Sequence, residues 1–173
     1  MRILKKEKSF SKVAGCDVSV RSLEVAMERL KPDRQRKNEP ELELFQSALT
    51  YKDKRFAEYD AAVLVEVIEH IDPPRLCALE RTLFDSARPR VVVVTTPNGE
   101  YNVLFENLPA GKFRHNDHRF EWSRKEFEKW AKPIADQYGY AVSFTPIGDV
   151  DEKHGAPSQM AVFVQVESVG EAE

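Results

Sequence analysis

The sequence predicts an α/β protein, built on a mainly parallel sheet interleaved with helices and finished by an antiparallel hairpin. Three observations carry this expectation. Four strand-like apolar runs, "KVAGCDVS", "LELFQSAL", "YDAAVLVEV" and "RPRVVVVTTPN", follow one another, with helical patterns after the first and the third. The run at Val91–Val94 is continuous and β-branched, as in a strand covered on both faces. The chain then closes on two further strand-like runs joined by the polar loop "DEKHGAPS", which suits a hairpin.

Lys12 to Ser19 forms a short buried strand ending in an acidic residue. Arg21 to Lys31 has apolar residues at helical spacing, and Ser19 is placed to cap it. The polar, proline-bearing stretch "DRQRKNEPE" is a loop. Leu42 to Leu49 alternates as a strand does. Tyr59 to Val67 is a nearly continuous apolar run, expected to be covered on both faces. Asp72 to Ala87 is a helix opened by Pro73 and Pro74. Arg88 to Asn98 is the buried strand before a turn. Ser123 to Tyr140 is a helix opened by a Ser-x-x-Glu capping box, Ser123 to Glu126. Tyr140 to Val150 and Gln159 to Ser168 pair antiparallel, and the final "GEAE" frays.

Composition narrows the function classes. A length of 173 residues suits one domain with a sizeable core. With 32% charged and 42% hydrophobic residues, the chain has the balance of a soluble globular protein. A net charge of −3 means that nucleic-acid binding needs a local feature. No stretch approaches membrane-spanning length, and "MRILKKEKSF" lacks the apolar core of a signal peptide. Cys16 and Cys77 have no motif spacing, so free thiols in a reducing cytoplasm are expected.

In such sheets ligands bind beyond the carboxyl ends of the strands, where Asp17, Ser47, Glu66 and Pro97-Asn98 all fall. Asp17 is placed to accept hydrogen bonds from a ribose diol; the structural alternative is a helix cap. "EVIEH" runs a buried strand into Glu66, Glu69 and His70, whose oxygen and nitrogen atoms suit Mg²⁺ or Mn²⁺. Its structural alternative is a solvated first turn favoured by the helix dipole. "RHNDHRFEWSRKEF" adds His115, His118, Arg114 and Arg119 before a capped helix. Either histidine there can complete a Glu/Glu/His set, and the arginines can meet a phosphate. Phe120 and Trp122 are expected to anchor the core.

"EVIEHID", "VVVVTTPNGEYN" and "RHNDHRFEWSRKEF", in that order, closely resemble the small-RNA 3′-terminal ribose 2′-O-methyltransferases, in the methyltransferase domain of their bacterial RNA-repair branch. The resemblance spans nearly the whole chain. It implies a Rossmann-like class I methyltransferase sheet, S-adenosylmethionine as methyl donor, and Mn²⁺ or Mg²⁺ held by Glu66, Glu69, His70 and His118. His118 is taken over His115 because it stands in the family's Asp-His-x-Phe-Glu-Trp pattern. Asp17 matches the acceptor for the cofactor ribose and Ser47 the residue beside the adenine. Arg114 and His115 match substrate-side residues, and His70 and His118 also stand where catalytic histidines do.

The implied substrate is RNA with a free 3′ end, and the implied partner is an RNA end-healing and ligating enzyme. A cation on both terminal ribose oxygens would orient the 2′-oxygen and lower its pKa for attack on the sulfonium methyl, with a histidine taking the proton. The family's first strand and its glycine-rich cofactor loop have no counterpart among these residues, whose seven glycines include no Gly-x-Gly. The expectation is therefore one methyltransferase domain over residues 1–173, without the strand that lies between those ending at Asp17 and Glu66. Competing readings are a metal-dependent phosphoesterase, a non-catalytic RNA-end-binding module, and a purely structural polar cluster.

Overall fold

A computed structural model describes residues 1–31 and 39–166. Most of the loop expected over 33–41, and all of the end expected to fray, lie outside the described residues. The chain divides into two compact units, Met1–Tyr51 and Lys52–Glu173. No helix among the described residues is long and apolar enough to cross a membrane.

In the first unit, β1 (Lys12–Asp17) pairs parallel with β2 (Glu41–Gln46), and α1 (Val20–Leu30) crosses between them. Ser19 caps α1 as expected, its side chain accepting the Ser22 N–H at 3.2 Å. Val13, Leu30 and Leu42 form a small core, with Leu4, Ala26 and Leu44 packed against it.

The second unit holds a four-stranded sheet in the order β3 (Ala61–Val65), β4 (Val91–Pro97), β6 (Ser158–Gln165), β5 (Tyr140–Ile147). The β3–β4 pair is parallel; β6 runs antiparallel to both β4 and β5, so the expected hairpin forms and inserts its second strand beside β4. Among the described residues the strands form two sheets, one in each unit.

The core lies on one face of this sheet. Val92, Val94, Ala161 and Phe163 are fully buried there, under Phe84 and the helix α3 (Arg124–Tyr138). Phe127, Ala131, Ile134 and Ala135 recur at helical spacing to form the buried stripe of α3. Each buried Val, Ile or Phe among these contributes about 1.5–3 kcal/mol by leaving water. The capping box opens α3 as expected, and Gly139 at φ +75° closes it in the left-handed conformation that favours glycine.

Two expectations are corrected. β3 is not covered on both faces: Val63 and Val65 are 54% and 60% exposed, while Leu64 between them is buried. The strand thus alternates in burial despite its uniformly apolar sequence. The helix expected over 72–87 is composite: a 3-10 turn at Pro73–Arg75, α2 (Leu76–Glu80), then a wider π-helical stretch, Arg81–Ala87. The Arg88 N–H reaches back five residues to the Leu83 carbonyl at 3.0 Å. Widening lets three consecutive residues, Thr82, Leu83 and Phe84, all be buried, which an α-helical turn does poorly.

Candidate functional site

In the first unit, Asp17 and Ser47 stand at the carboxyl ends of the paired strands. The Ser47 N–H donates to the Asp17 carbonyl at 3.2 Å, which continues the β1–β2 ladder one step and sets the two residues side by side. Asp17 Oδ1 accepts the Ser19 N–H at 2.8 Å and so stiffens the turn into α1. The cap of α1 is Ser19 and not Asp17, whose hydrogen bond to the turn ahead of the helix occupies one carboxylate oxygen.

In the second unit, β3 stops at Val65 and Glu66 takes φ +52°, a backbone state that costs a non-glycine residue about 1–2 kcal/mol. The Glu66 N–H is held by the Thr95 carbonyl and by Thr95 Oγ1, both at 3.1 Å. Thr95 Oγ1 in turn donates to Glu66 Oε1 at 2.9 Å. The chain then makes one 3-10 turn, Ile68–His70. Ile68 is fully buried and anchors that turn.

The turn carries Glu69 inward. Its side chain is 0% exposed; Thr96 Oγ1 donates to Oε2 at 3.0 Å, while Oε1 is buried without a hydrogen-bond partner. Burial, reinforced by the neighbouring Glu66 charge and opposed by the Glu69 backbone and Thr96 hydrogen bonds, pushes this carboxyl up to about 7. The Glu69 carbonyl accepts the Arg119 N–H at 2.7 Å, which pins the histidine loop beside the turn. Ligand atoms of Glu69, His70 and His118 consequently lie within 4.8 Å of one another.

Each of these imidazoles is oriented from behind. His70 Nδ1 faces Asp117 Oδ2 at 3.2 Å, and His118 Nδ1 faces Glu121 Oε1 at 2.5 Å. Nε2 of each ring is thereby left for the cluster. A buried carboxylate oxygen without a donor, converging with two imidazoles, is the donor set a divalent cation requires, and the residues present fit one. Glu66 lies next to this trio, with its Oε1 on Thr95.

The other residues singled out from sequence are placed as follows. His115 is 67% exposed, hydrogen-bonded to Asp117, with its ring centroid 6.2 Å from that of His70 and 5.7 Å from that of His118. Arg114 is drawn into the protein: Nε donates to Asn102 Oδ1 and Nη2 to the Asn98 carbonyl, at 2.7 and 2.6 Å, and the guanidinium lies over Phe105. Arg119 pairs with Asp72 at 3.2 Å. Phe120 is buried and stacks on Trp122 with centroids 4.0 Å apart, as expected of an anchor.

Thr95, Thr96, Gly99, Asn102 and Glu121 drew no functional assignment from sequence, yet they build the site. A Cβ on Gly99 would lie 2.4 Å from the Glu121 carbonyl oxygen, so only glycine lets this loop close against the end of β4. The available signal for Glu121 was its position three residues after His118.

Comparison with known proteins shows the family of the chain. The sequence signature of a methyltransferase domain matches residues 1–142. The small RNA 2′-O-methyltransferase of Xenopus tropicalis is 38% identical over 127 residues, 72% of this chain and 34% of that protein. The methyltransferase domain of bacterial CtHen1 superposes with a TM-score of 0.83 at 50% identity, over 94% of this chain and 83% of that one. The small RNA methyltransferase HEN1 superposes with a TM-score of 0.85 at 30% identity, over 96% of this chain and 21% of that one. The chain spans 34 to 42% of the length of the first curated relatives it matches. The fold is therefore the α/β methyltransferase fold with a mixed sheet, as the sequence led one to expect. The chain belongs to the methyltransferase-domain family and, within it, to the group of Hen1 methyltransferase domains.

Proposed function

We propose that this domain transfers a methyl group from S-adenosylmethionine to the 2′-oxygen of the 3′-terminal ribose of RNA, with the help of a divalent cation. The observation that carries the proposal is the buried, unpartnered Glu69 Oε1 facing His70 and His118, in a chain half identical to the methyltransferase domain of bacterial CtHen1. Glu69, His70 and His118 would hold the cation, with Glu66 beside them. A mixed oxygen and nitrogen set favours Mn²⁺ over Mg²⁺, which prefers oxygen and keeps its waters.

When bound, the cation supplies Lewis acidity, which holds ribose hydroxyls in place and lowers the pKa of the 2′-hydroxyl. The remaining work belongs to the chain. Asp17 and Ser47 are the candidates for the ribose and adenine of the cofactor. Thr95 and Thr96 fix the two carboxylates from β4. With Nε2 of His70 and His118 facing inward, His115 is the imidazole left to accept the hydroxyl proton, steadied at Nδ1 by Asp117. The methyl passes from the sulfonium sulfur to the 2′-oxygen, the S–C bond breaks as the O–C bond forms, and S-adenosylhomocysteine is left. On the family resemblance we extend this reading to a partner enzyme that heals and joins RNA ends.

The test is transfer of labelled methyl from S-adenosylmethionine to a short RNA with a free 3′ end, with Mn²⁺ and with chelator. Metal-dependent labelling of the terminal 2′-oxygen is expected, and RNA ending in 2′-deoxyribose should be inert. Equal labelling of a 3′-phosphate end would refute a role for both hydroxyls. Metal-dependent binding of RNA without transfer would refute the enzymatic reading.

A further inference from the structure

Glu121 is nearly as buried as Glu69, with 1% of its side chain exposed, but its surroundings are opposite. Oε1 accepts the Arg114 N–H at 2.7 Å, and Oε2 accepts from Asn102 Nδ2. The Arg114 guanidinium lies 3.9 Å from Oε2 and balances the charge. Both oxygens are thus surrounded by donors, so Glu121 serves as an acceptor only. Its last neighbour is His118 Nδ1, 2.5 Å from Oε1, on a side chain only 9% exposed. Facing an acceptor, Nδ1 must carry the proton, and the lone pair of the neutral ring is then on Nε2, the ring nitrogen left for the cluster with Glu69 and His70.

We propose that Glu121 is a positioning residue that fixes His118 as the Nδ1–H tautomer and so creates its metal-ligating Nε2; this rests on reading Glu69, His70 and His118 as the cation site. Asn102 and Arg114 complete the device, because they prevent the Glu121 carboxylate from turning away or presenting a proton. Arg114, expected from sequence to face substrate, acts on this account from behind the site. Gly99 belongs to it as well, since its missing side chain admits the Glu121 backbone.

The tautomer can be read without any activity. In metal-free protein at about pH 8, where an ordinary imidazole is neutral, two-bond ¹H–¹⁵N spectra report which ring nitrogen is protonated. His118, assigned by comparison with His118→Gln, is expected to show a bare Nε2 in the wild type. In Glu121→Gln the amide can donate to Nδ1, so Nε2–H should appear, and Mn²⁺ affinity measured by titration with Mn²⁺ alone should fall by about 10- to 100-fold. A wild-type His118 already protonated at Nε2 would overturn the proposal, and that measurement needs no variant. So would a folded Glu121→Gln that keeps both its tautomer and its Mn²⁺ affinity, even if less stable, because that result marks a purely structural glutamate. Failure of the wild type to bind Mn²⁺ would instead refute the cation site itself, and the proposal with it, whatever the tautomer.

Discussion

Glu69→Gln should stabilise the metal-free protein while removing its response to Mn²⁺. Glu69 is fully buried with one oxygen unpartnered, and its carboxyl is pushed from 4.5 up to about 7. At about 1.4 kcal/mol per pH unit, that gap puts the cost of holding the ionised carboxylate at about 3 kcal/mol. The sign follows from the direction. Between pH 4.5 and about 7 the folded protein keeps a proton that the unfolded chain has lost. Stability is therefore greatest at the acidic end of that window and falls as pH rises to its upper end. Glutamine keeps the acceptor for Thr96 and never ionises, but it leaves an N–H without a partner, which costs about 1–3 kcal/mol. Set against about 3.4 kcal/mol for ionisation, that leaves a net gain near pH 8 of about 0.5–2.5 kcal/mol, or about 1–10 °C in Tm for a chain of this size. The gain should vanish as the pH falls toward 4.5, where the folded carboxyl is protonated and the cost of its ionisation is no longer met. Thermal unfolding in chelator across this range, repeated with Mn²⁺, measures all of it. A variant no more stable than the wild type near pH 8, or one that Mn²⁺ still stabilises, would refute the reasoning.

Other substitutions probe the supports of the site. Gly99→Ala forces a Cβ to within 2.4 Å of the Glu121 carbonyl oxygen, so urea unfolding should show a loss of about 1–3 kcal/mol together with weakened Mn²⁺ binding. Thr96→Val removes the side-chain donor to Glu69 Oε2, and the pH midpoint for Mn²⁺ binding should move upward. Ser123→Ala breaks the capping box of α3 and should cost about 1 kcal/mol without changing Mn²⁺ affinity. His115→Asn should lower kcat and leave Mn²⁺ affinity intact; an equal loss of both would remove His115 from the proton-accepting role.

What was legible in the sequence was local. Ser123 and Glu126 announce the start of α3 three residues apart, and Ser19 announces α1, because capping is decided within one turn. "EVIEH" stood out because carboxylates at the end of an apolar strand need a reason, and the resemblance directed His118 toward them. What was not legible depends on neighbours distant in sequence. The register that sets Val65 opposite Thr95 brings the "TT" of β4 to Glu66 and Glu69, and nothing in either segment encodes that pairing. The exposure of Val63 and Val65 has the same origin: an apolar run shows that burial is possible, while the tertiary packing decides which face receives it. Its charge and the resemblance both aim Arg114 at substrate, and only the fold shows its fork spent on Asn98 and Asn102.

The two buried glutamates show why the site is built from opposites. Glu121 lies among a backbone N–H, an amide and a guanidinium, so its charge is compensated and its position fixed. Glu69 receives one hydroxyl donor and faces Glu66, so its charge is left uncompensated in the metal-free protein. A carboxylate meant only to hold the fold has no use for the second arrangement, since a buried unpartnered oxygen costs stability and returns none. On the proposed function a cation would relieve that deficit, and its size would add to the affinity with which the cation is held. Glu121 works in the other direction: its compensation keeps it from competing for the cation, and its remaining acceptor site is spent on turning His118. One carboxylate is kept unsatisfied so that it can bind, and the other is satisfied so that its neighbour can.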